Sequence, residues 1–173
     1  MPVHSPIPSN ASQSEQKYLE ILAELFQRNG WRVKSNPSFG RRKADLLVSR
    51  GRYKYVVELK VSSEGRRDRL VPMLAQAILQ AKAIAQASPK AAAPLAVIAA
   101  PIISPSVASG LKHFLAENAA DAAVGMFDRE GFRSFVGPGL ENLNAPPPIR
   151  IRRQRHPSAE SSYLFSDLNQ WML

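Results

Sequence analysis

The sequence predicts an α/β fold, in which helices flank a mixed β-sheet on both faces. Helical and strand-like hydrophobic patterns interleave in the order α-β-β-β-α-β-α-β-β, which is typical of a sheet covered on both sides. The chain has 173 residues, enough for one domain with a substantial hydrophobic core. Residues 95–100 form an uninterrupted apolar run, as expected of a buried strand.

The first helix is predicted to begin at residue 14 and to end at Gly30, since glycine commonly follows the last helical turn. Its apolar residues recur at spacings of three and four: Tyr18, Ile21, Leu22, Leu25 and Phe26. A short strand at residues 31–34 and a turn-like segment at residues 35–40 follow.

Two strands are predicted to form a β-hairpin over residues 45–61. The first covers residues 45–50, Gly51 and Arg52 make a tight reversal, and the second covers residues 53–61. Successive side chains of a strand point to opposite faces. One face of the second strand therefore carries Tyr53, Tyr55, Val57, Leu59 and Val61, and the other carries Lys54, Val56, Glu58 and Lys60.

The remaining elements alternate helices with strands. They are an alanine-rich helix at 70–87, the strand at 95–100, a helix at 107–118, and a closing hairpin of strands 124–127 and 132–136. The predicted organisation is a flexible leader at 1–13, the α/β domain at 14–137, a Pro/Arg-rich linker at 138–160, and at 161–173 a helical tail or the start of a truncated further domain.

Positive charge is concentrated in one stretch of the chain. There are 23 basic and 14 acidic residues, which gives a net charge of +9. Thirteen of the basic residues and four of the acids lie between residues 28 and 69, an excess equal to the net charge of the whole chain. Such a surface attracts polyanions, and a phosphate backbone is the default candidate. The alternative is a basic surface that serves solubility alone.

The composition also excludes several classes of protein. The chain has no cysteine, so disulfides and thiolate zinc sites are excluded. The N-terminal segment lacks an apolar signal core, and the most apolar stretch, residues 91–103, is too short to span a bilayer. We therefore expect a soluble, cytoplasmic protein without a membrane partner.

An acid and a base, Glu58 and Lys60, project from the same face of the second hairpin strand, and Asp45 begins the strand beside it. A Glu-x-Lys triplet alone is weak evidence, because chance produces one in roughly 250 residues, and residues 15–17 are a second copy. The strand-borne copy differs in having a hairpin neighbour, a surrounding basic cluster and a following helix with two glutamines four residues apart. The alternative is a solvated surface ion pair.

On these residues the chain resembles the PD-(D/E)XK nuclease superfamily, which includes restriction endonucleases, archaeal Holliday-junction resolvases and Mrr-type enzymes. Asp45, Glu58 and Lys60 match the catalytic triplet of that superfamily, although Ala44 stands where the motif's name has proline. The resemblance spans roughly residues 14–136 and implies a restriction-endonuclease-like three-layer fold.

The resemblance also assigns catalytic roles to two helical residues. Glu20 matches the glutamate of the family's opening helix and would assist a second metal ion or position water, although Glu24 lies one turn away. Gln76 is similar to the glutamine that often follows on the next helix, and it would orient Lys60 or contact DNA.

The implied cofactor is Mg²⁺ or Mn²⁺. Asp45 and Glu58 supply hard oxygen ligands, and the backbone carbonyl of Leu59 completes the set, as in the family. Lys60 would assist the attacking water and stabilise the transition state. Basic residues on both sides of the triplet are predicted to bind phosphates: Arg41, Arg42, Lys43, Arg66, Arg67 and Arg69.

The sequence therefore predicts a divalent-metal-dependent endonuclease that acts on DNA, with RNA as the weaker alternative substrate. The alternative from another class is a nuclease-fold DNA-binding or regulatory module without turnover. Double-strand cleavage would need two active sites and hence a homodimer, although the sequence leaves the oligomeric state open.

Overall fold

The computed structural model of the chain describes residues 10–88 and 92–148. They form a six-stranded mixed sheet with helices on both faces, which confirms the predicted three-layer α/β architecture. In chain order the elements are α1 (Asn10–Arg28), β1 (Arg32–Ser35), β2 (Ser38–Phe39), β3 (Arg42–Lys43), β4 (Leu46–Arg50), β5 (Tyr53–Val61), α2 (Arg67–Ala87), β6 (Ala93–Ala100), α3 (Pro105–Asn118), β7 (Ala123–Asp128), β8 (Arg133–Val136) and a short 3₁₀ helix (Glu141–Leu143).

The strand order in the main sheet is β1-β4-β5-β6-β7-β8. Strands β1, β4 and β5 form an antiparallel meander, and β8 runs antiparallel to β7. The three central strands β5, β6 and β7 are parallel to one another, and α2 and α3 connect them. The carboxyl ends of β5, β6 and β7 therefore meet at one edge of the sheet, where open α/β folds commonly place their ligand sites.

Each face of the sheet has its own hydrophobic core. On one face α1 packs onto β5 and β6 through residues that include Tyr18, Leu22, Phe26, Val57, Leu59 and Val97. On the other face α2 and α3 pack onto β6 and β7 through residues that include Leu70, Leu74, Leu111, Ala96, Ile98 and Met126. Residues 95–100 of β6 are buried without interruption, as the apolar run predicted. No helix within the described residues is both long enough and apolar enough to cross a membrane.

Most ends of helices and strands lie within three residues of the sequence-based prediction, and three differences are larger. Helix α1 begins at Asn10, not at residue 14, and the predicted turn at 35–40 contains β2, which pairs with β3 in a small separate hairpin. The predicted linker begins at residue 138, yet Leu140 and Leu143 are completely buried in the core beneath α1. The folded unit therefore continues past residue 137. Residues 1–9 of the predicted leader, and the linker and tail from residue 149 onward, lie outside the described residues.

Candidate active site

Strand β5 carries the two central residues of the predicted site on the face that α2 covers. Its odd-numbered residues Tyr55, Val57 and Leu59 belong to the core beneath α1, so Glu58 and Lys60 project toward the opposite side. The two side chains are 11% and 22% exposed, and Lys60 Nζ lies 3.0 Å from Glu58 Oε1. They form a partly buried ion pair at the carboxyl end of β5, not a fully solvated surface pair.

Asp45 is held next to this pair by hydrogen bonds on both sides of its backbone. Its carbonyl accepts a 2.9 Å bond from the amide of Asn36, and its amide donates a 3.2 Å bond to Val57. The Asp45 carboxylate accepts a 2.7 Å hydrogen bond at Oδ2 from the backbone amide of Leu59. The side chain of Asp45 is thus tied to the residue that separates Glu58 from Lys60.

The residue before Asp45 explains one departure from the nuclease motif. Ala44 is buried against Val56 and Ile84, and its backbone amide donates a 3.0 Å hydrogen bond to the carbonyl of Pro37. Proline has no amide hydrogen and would lose this bond. Alanine at position 44 therefore suits the local chain path better than the proline for which the motif is named.

The two carboxylates lie in surroundings that disfavour their ionised forms, despite the nearby charge of Lys60. Burial raises the pKa of Glu58 above its ordinary value, the charge of Asp45 raises it further, and the ion pair with Lys60 opposes both effects. Burial also raises the pKa of Asp45, against the opposing effects of the Leu59 amide and Lys60. A raised carboxyl pKa means that the ionised form is disfavoured. A bound cation would remove this penalty, which is the behaviour expected of metal ligands.

The available oxygen atoms fit a hard divalent cation. Asp45 uses Oδ2 for the Leu59 amide and Glu58 uses Oε1 for Lys60, so Oδ1 and Oε2 remain for a metal. In a β-strand, the backbone N–H and C=O of one residue point toward the same neighbouring strand. The Leu59 amide points toward Asp45, so the Leu59 carbonyl points the same way. It lies beyond the last β4–β5 pair, which is Leu46 and Val57.

The protein supplies only part of a coordination shell. Within residues 10–88 and 92–148, no group of three or more His, Cys, Asp or Glu residues could hold a metal ion. Mg²⁺ is commonly bound by one or two carboxylates together with waters and substrate phosphates. Two carboxylates and one carbonyl therefore suit Mg²⁺ or Mn²⁺ better than a metal that needs a complete protein cage.

Helix α2 presents a different glutamine to the site from the one that the resemblance implied. Gln80 lines a cavity of about 410 Å³ together with Glu58, Arg42, Lys43 and other residues. The Oε1 atom of Gln80 is buried and has no hydrogen-bond partner among the described residues. Gln76, one turn earlier, is exposed. Gln80 had a sequence signal, since it shares a helix face with Gln76, but the resemblance favoured the earlier position.

The three glutamates of helix α1, Glu15, Glu20 and Glu24, are all exposed. The side chain of Glu20 is exposed and accepts a 3.1 Å hydrogen bond from Gln16, which lies on the outer surface of the helix. The negative charge of Glu15, in contrast, contributes to raising the pKa of Glu58. Glu15 belongs to the second Glu-x-Lys triplet of the sequence, at the end of α1 that approaches the carboxyl edge of the sheet.

The predicted phosphate-binding residues divide into two groups. Arg41, Arg42 and Lys43 are exposed on the β2–β3 hairpin, and the last two line the Glu58 cavity. In the loop after β5, the guanidinium of Arg66 makes two 3.1 Å hydrogen bonds to Asp68, so part of its charge is already paired. Arg67 and Arg69 are exposed at the start of α2. Of the predicted phosphate-binding residues, Arg42 and Lys43 of the hairpin are therefore the ones that line the Glu58 cavity.

Comparisons with known proteins identify a structural neighbour but no family. No protein-family model matches the chain, and no curated protein matches it significantly. Among solved structures, the fold is similar to a chain of the CdiA-CT/CdiI toxin and immunity complex from Burkholderia pseudomallei, with a TM-score of 0.55 and 14% identity. The match covers 78% of this chain and 93% of that chain. At this identity the likeness concerns the fold alone.

Proposed function

We propose that the protein is a divalent-metal-dependent nuclease that hydrolyses DNA phosphodiester bonds with a PD-(D/E)XK-type site. One observation carries the proposal: the carboxylates of Asp45 and Glu58 and the ammonium of Lys60 converge at the carboxyl end of β5. The burial and the raised pKa values of the two carboxyl groups, Asp45 and Glu58, are unfavourable for a metal-free fold, and perturbed ionisable groups of this kind cluster at functional sites.

The residues have complementary roles in this proposal. Asp45, Glu58 and the Leu59 carbonyl hold Mg²⁺ or Mn²⁺, which when bound supplies Lewis-acid stabilisation of the phosphate and lowers the pKa of water. Lys60, anchored by Glu58, orients the attacking water and offers a hydrogen bond to the charge that develops on phosphate. Arg42 and Lys43 position the substrate by contacting its backbone phosphates.

The proposal is tested by incubating the protein with supercoiled, linear, branched and single-stranded DNA, and with RNA, in the presence of Mg²⁺ or Mn²⁺. We expect cleavage of at least one DNA substrate, and its loss with Lys60→Ala, Asp45→Asn or EDTA. Lys112→Ala, which removes an exposed lysine from α3, is the matched control and should cleave normally. Cleavage that survives both active-site substitutions would refute the catalytic assignment, and cleavage of RNA alone would refute the DNA assignment.

A nuclease-fold binding module without turnover is the second candidate. It is favoured by the small number of ligands, since the described residues supply no group of three metal-binding side chains. Titration calorimetry separates the two candidates. A nuclease should bind Mg²⁺ or Mn²⁺ in a manner that depends on Asp45, whereas a binding module should bind DNA with a steep salt dependence and should not bind the metal.

The structural neighbour also supports a proposal about biological role. That neighbour comes from a toxin and immunity complex, so we propose that the nuclease activity of this chain is toxic and is restrained by a protein partner. Expression of the wild-type chain should then arrest growth, and expression of Lys60→Ala at the same level should not. Equal growth of the two strains would refute the toxin role without affecting the nuclease assignment.

A further inference from the structure

A second basic cleft lies between α1 and the turn that joins β7 to β8. It has a volume of about 400 Å³, and the residues that line it include four cations and two acids. These six are Lys17, Arg28, Arg129, Arg133, Glu24 and Asp128. None of the four cations is among the phosphate-binding residues that the sequence predicts, and none belongs to the candidate active site.

Neither acid neutralises the cleft fully. Glu24 pairs with Arg28 on the same helix, at 3.1 Å. Asp128 uses both carboxylate oxygens to accept hydrogen bonds from three backbone amides, those of Ile103, Glu130 and Phe132. Within residues 10–88 and 92–148, neither acid of the cleft forms an ion pair with Lys17, Arg129 or Arg133. Asp128 keeps its negative charge, so four cations and two acids leave the cleft with a net charge of +2.

Two of the cations, Arg129 and Arg133, are held in place by contacts with uncharged groups. The Arg129 guanidinium lies over the ring of Tyr18, 4.8 Å from its centroid, and its backbone amide bonds to Pro101. The backbone of Arg133 makes two 3.0 Å hydrogen bonds with Ala145, and its Nε is buried without a partner among the described residues. A buried donor without an acceptor costs roughly 1–3 kcal/mol. An anion in the cleft would supply acceptors.

The cleft opens on the same edge of the sheet as the active site. Val61 of β5, Ala99 of β6 and Phe127 of β7 are level in the sheet. Two interstrand spacings separate the first from the last, which is about 10 Å. The active site lies on the face of this edge that α2 covers, and the cleft lies on the face that α1 covers. A nucleic-acid strand that passes around the edge would therefore meet both.

We propose that Lys17, Arg129 and Arg133 form a second phosphate-binding site, which holds the backbone of the same nucleic-acid strand where it passes around the carboxyl edge of the sheet from the active site. The identity of the ligand as a nucleic-acid strand rests on the proposed function. The charge balance and the unpartnered Arg133 donor do not depend on it.

The test measures the binding of a labelled 20-nucleotide single strand in EDTA, where cleavage plays no part. The variant is Lys17→Gln/Arg129→Gln. Its matched control, Lys112→Gln/Lys82→Gln, removes the same charge from α3 and from α2, outside both the cleft and the basic stretch at residues 28–69. We expect the variant to lose affinity about tenfold and its salt slope to fall by about 1.4, since each lost contact to a single strand contributes about 0.7. The control should change affinity less than twofold.

Three further measurements complete the test. Arg129→Lys keeps the charge but loses the planar stack on Tyr18, so it should keep most of the affinity. Melting temperatures verify that every variant is folded.

The Gly131 amide, at the cleft, should shift in NMR spectra when the 20-mer binds. Equal affinity of the double variant and its control would overturn the proposal. Inorganic phosphate binding at Gly131 as tightly as the 20-mer would overturn the strand assignment. Cleavage is not measured, so the nuclease proposal can fail independently.

Discussion

The substitution Asp45→Asn should change stability and activity in opposite directions. The pKa of Asp45 is raised mainly by burial, so its ionised form is disfavoured in the metal-free fold. Asparagine keeps an oxygen that accepts the 2.7 Å hydrogen bond from the Leu59 amide, and it removes the charge that raises the pKa of Glu58. We expect a gain on the order of 1 kcal/mol in the metal-free protein, or roughly 2–4 °C in Tm, together with loss of cleavage by at least ~100-fold.

This gain in stability should depend on pH with a defined sign. Because the pKa of Asp45 is raised in the folded state, the folded protein binds more protons than the unfolded chain in the window just above the ordinary carboxyl pKa. Stability of the wild type therefore falls as pH rises through that window. The wild type and Asp45→Asn should melt at similar temperatures near pH 4, about the ordinary carboxyl pKa, and the gap should open as pH approaches neutrality.

Scanning calorimetry in EDTA and in excess Mg²⁺ measures both effects. Mg²⁺ should raise the Tm of the wild type, because it binds only the folded state, and should have little effect on the variant. The matched control is Asp121→Asn. Lys82 lowers the pKa of this exposed carboxylate by a 3.0 Å ion pair, so its loss should lower stability slightly or not at all. A lower metal-free Tm for Asp45→Asn at neutral pH, or a retained Mg²⁺ shift, would refute the reasoning.

Three other predictions test how the site is supported. Gln80→Ala should reduce the initial rate of cleavage about tenfold and Gln76→Ala less than twofold, because Gln80 lines the Glu58 cavity and Gln76 does not. A larger loss with Gln76→Ala would favour the glutamine that the resemblance implies. Replacing both Arg42 and Lys43 by glutamine should reduce the salt slope of duplex DNA binding by about 1.8, and an unchanged slope would exclude them as phosphate contacts. Gly65→Ala should cost about 2–4 kcal/mol in urea unfolding, because its Cβ would lie 1.7 Å from a carbonyl oxygen in the loop after β6; an unchanged midpoint would contradict this.

The strand-borne part of the candidate site was predictable because covalent geometry sets the periodicity of a strand. Alternation along residues 53–61 places Glu58 and Lys60 on one face, and β5 covers the same residues in the structure. A two-residue reversal sets the register of the β4–β5 hairpin, which brings Leu46 opposite Val57 and so places Asp45 beside Leu59. No tertiary information is needed for either step.

The end of the folded domain was not predictable in the same way. Residues 137–139 read Gly-Pro-Gly, a composition typical of turns and linkers. In the structure the carbonyls of this segment serve as acceptors: Tyr55 donates a 2.8 Å bond to Pro138, and Arg50 donates a 2.6 Å bond to Gly139. Both donors come from strands more than 80 residues earlier. Local composition contains no signal for contacts made across such a distance.

The sequence does not decide which polar residues of a helix face the candidate site. An apolar stripe predicts which side of a helix is buried. An active site at the edge of a sheet, however, contacts residues beside that stripe. The polar residues on the two sides of the stripe cannot be distinguished from the sequence. Which side faces the site depends on the angle at which the helix crosses the sheet and on how far it extends past the strand ends. Gln80 lines the cavity beside Glu58 and Gln76 does not, and the charge of Glu15 contributes to raising the pKa of Glu58. The first distinction requires the packed structure, because a shift of one helical turn from Gln76 to Gln80 changes neither the amphipathic pattern nor the residue type.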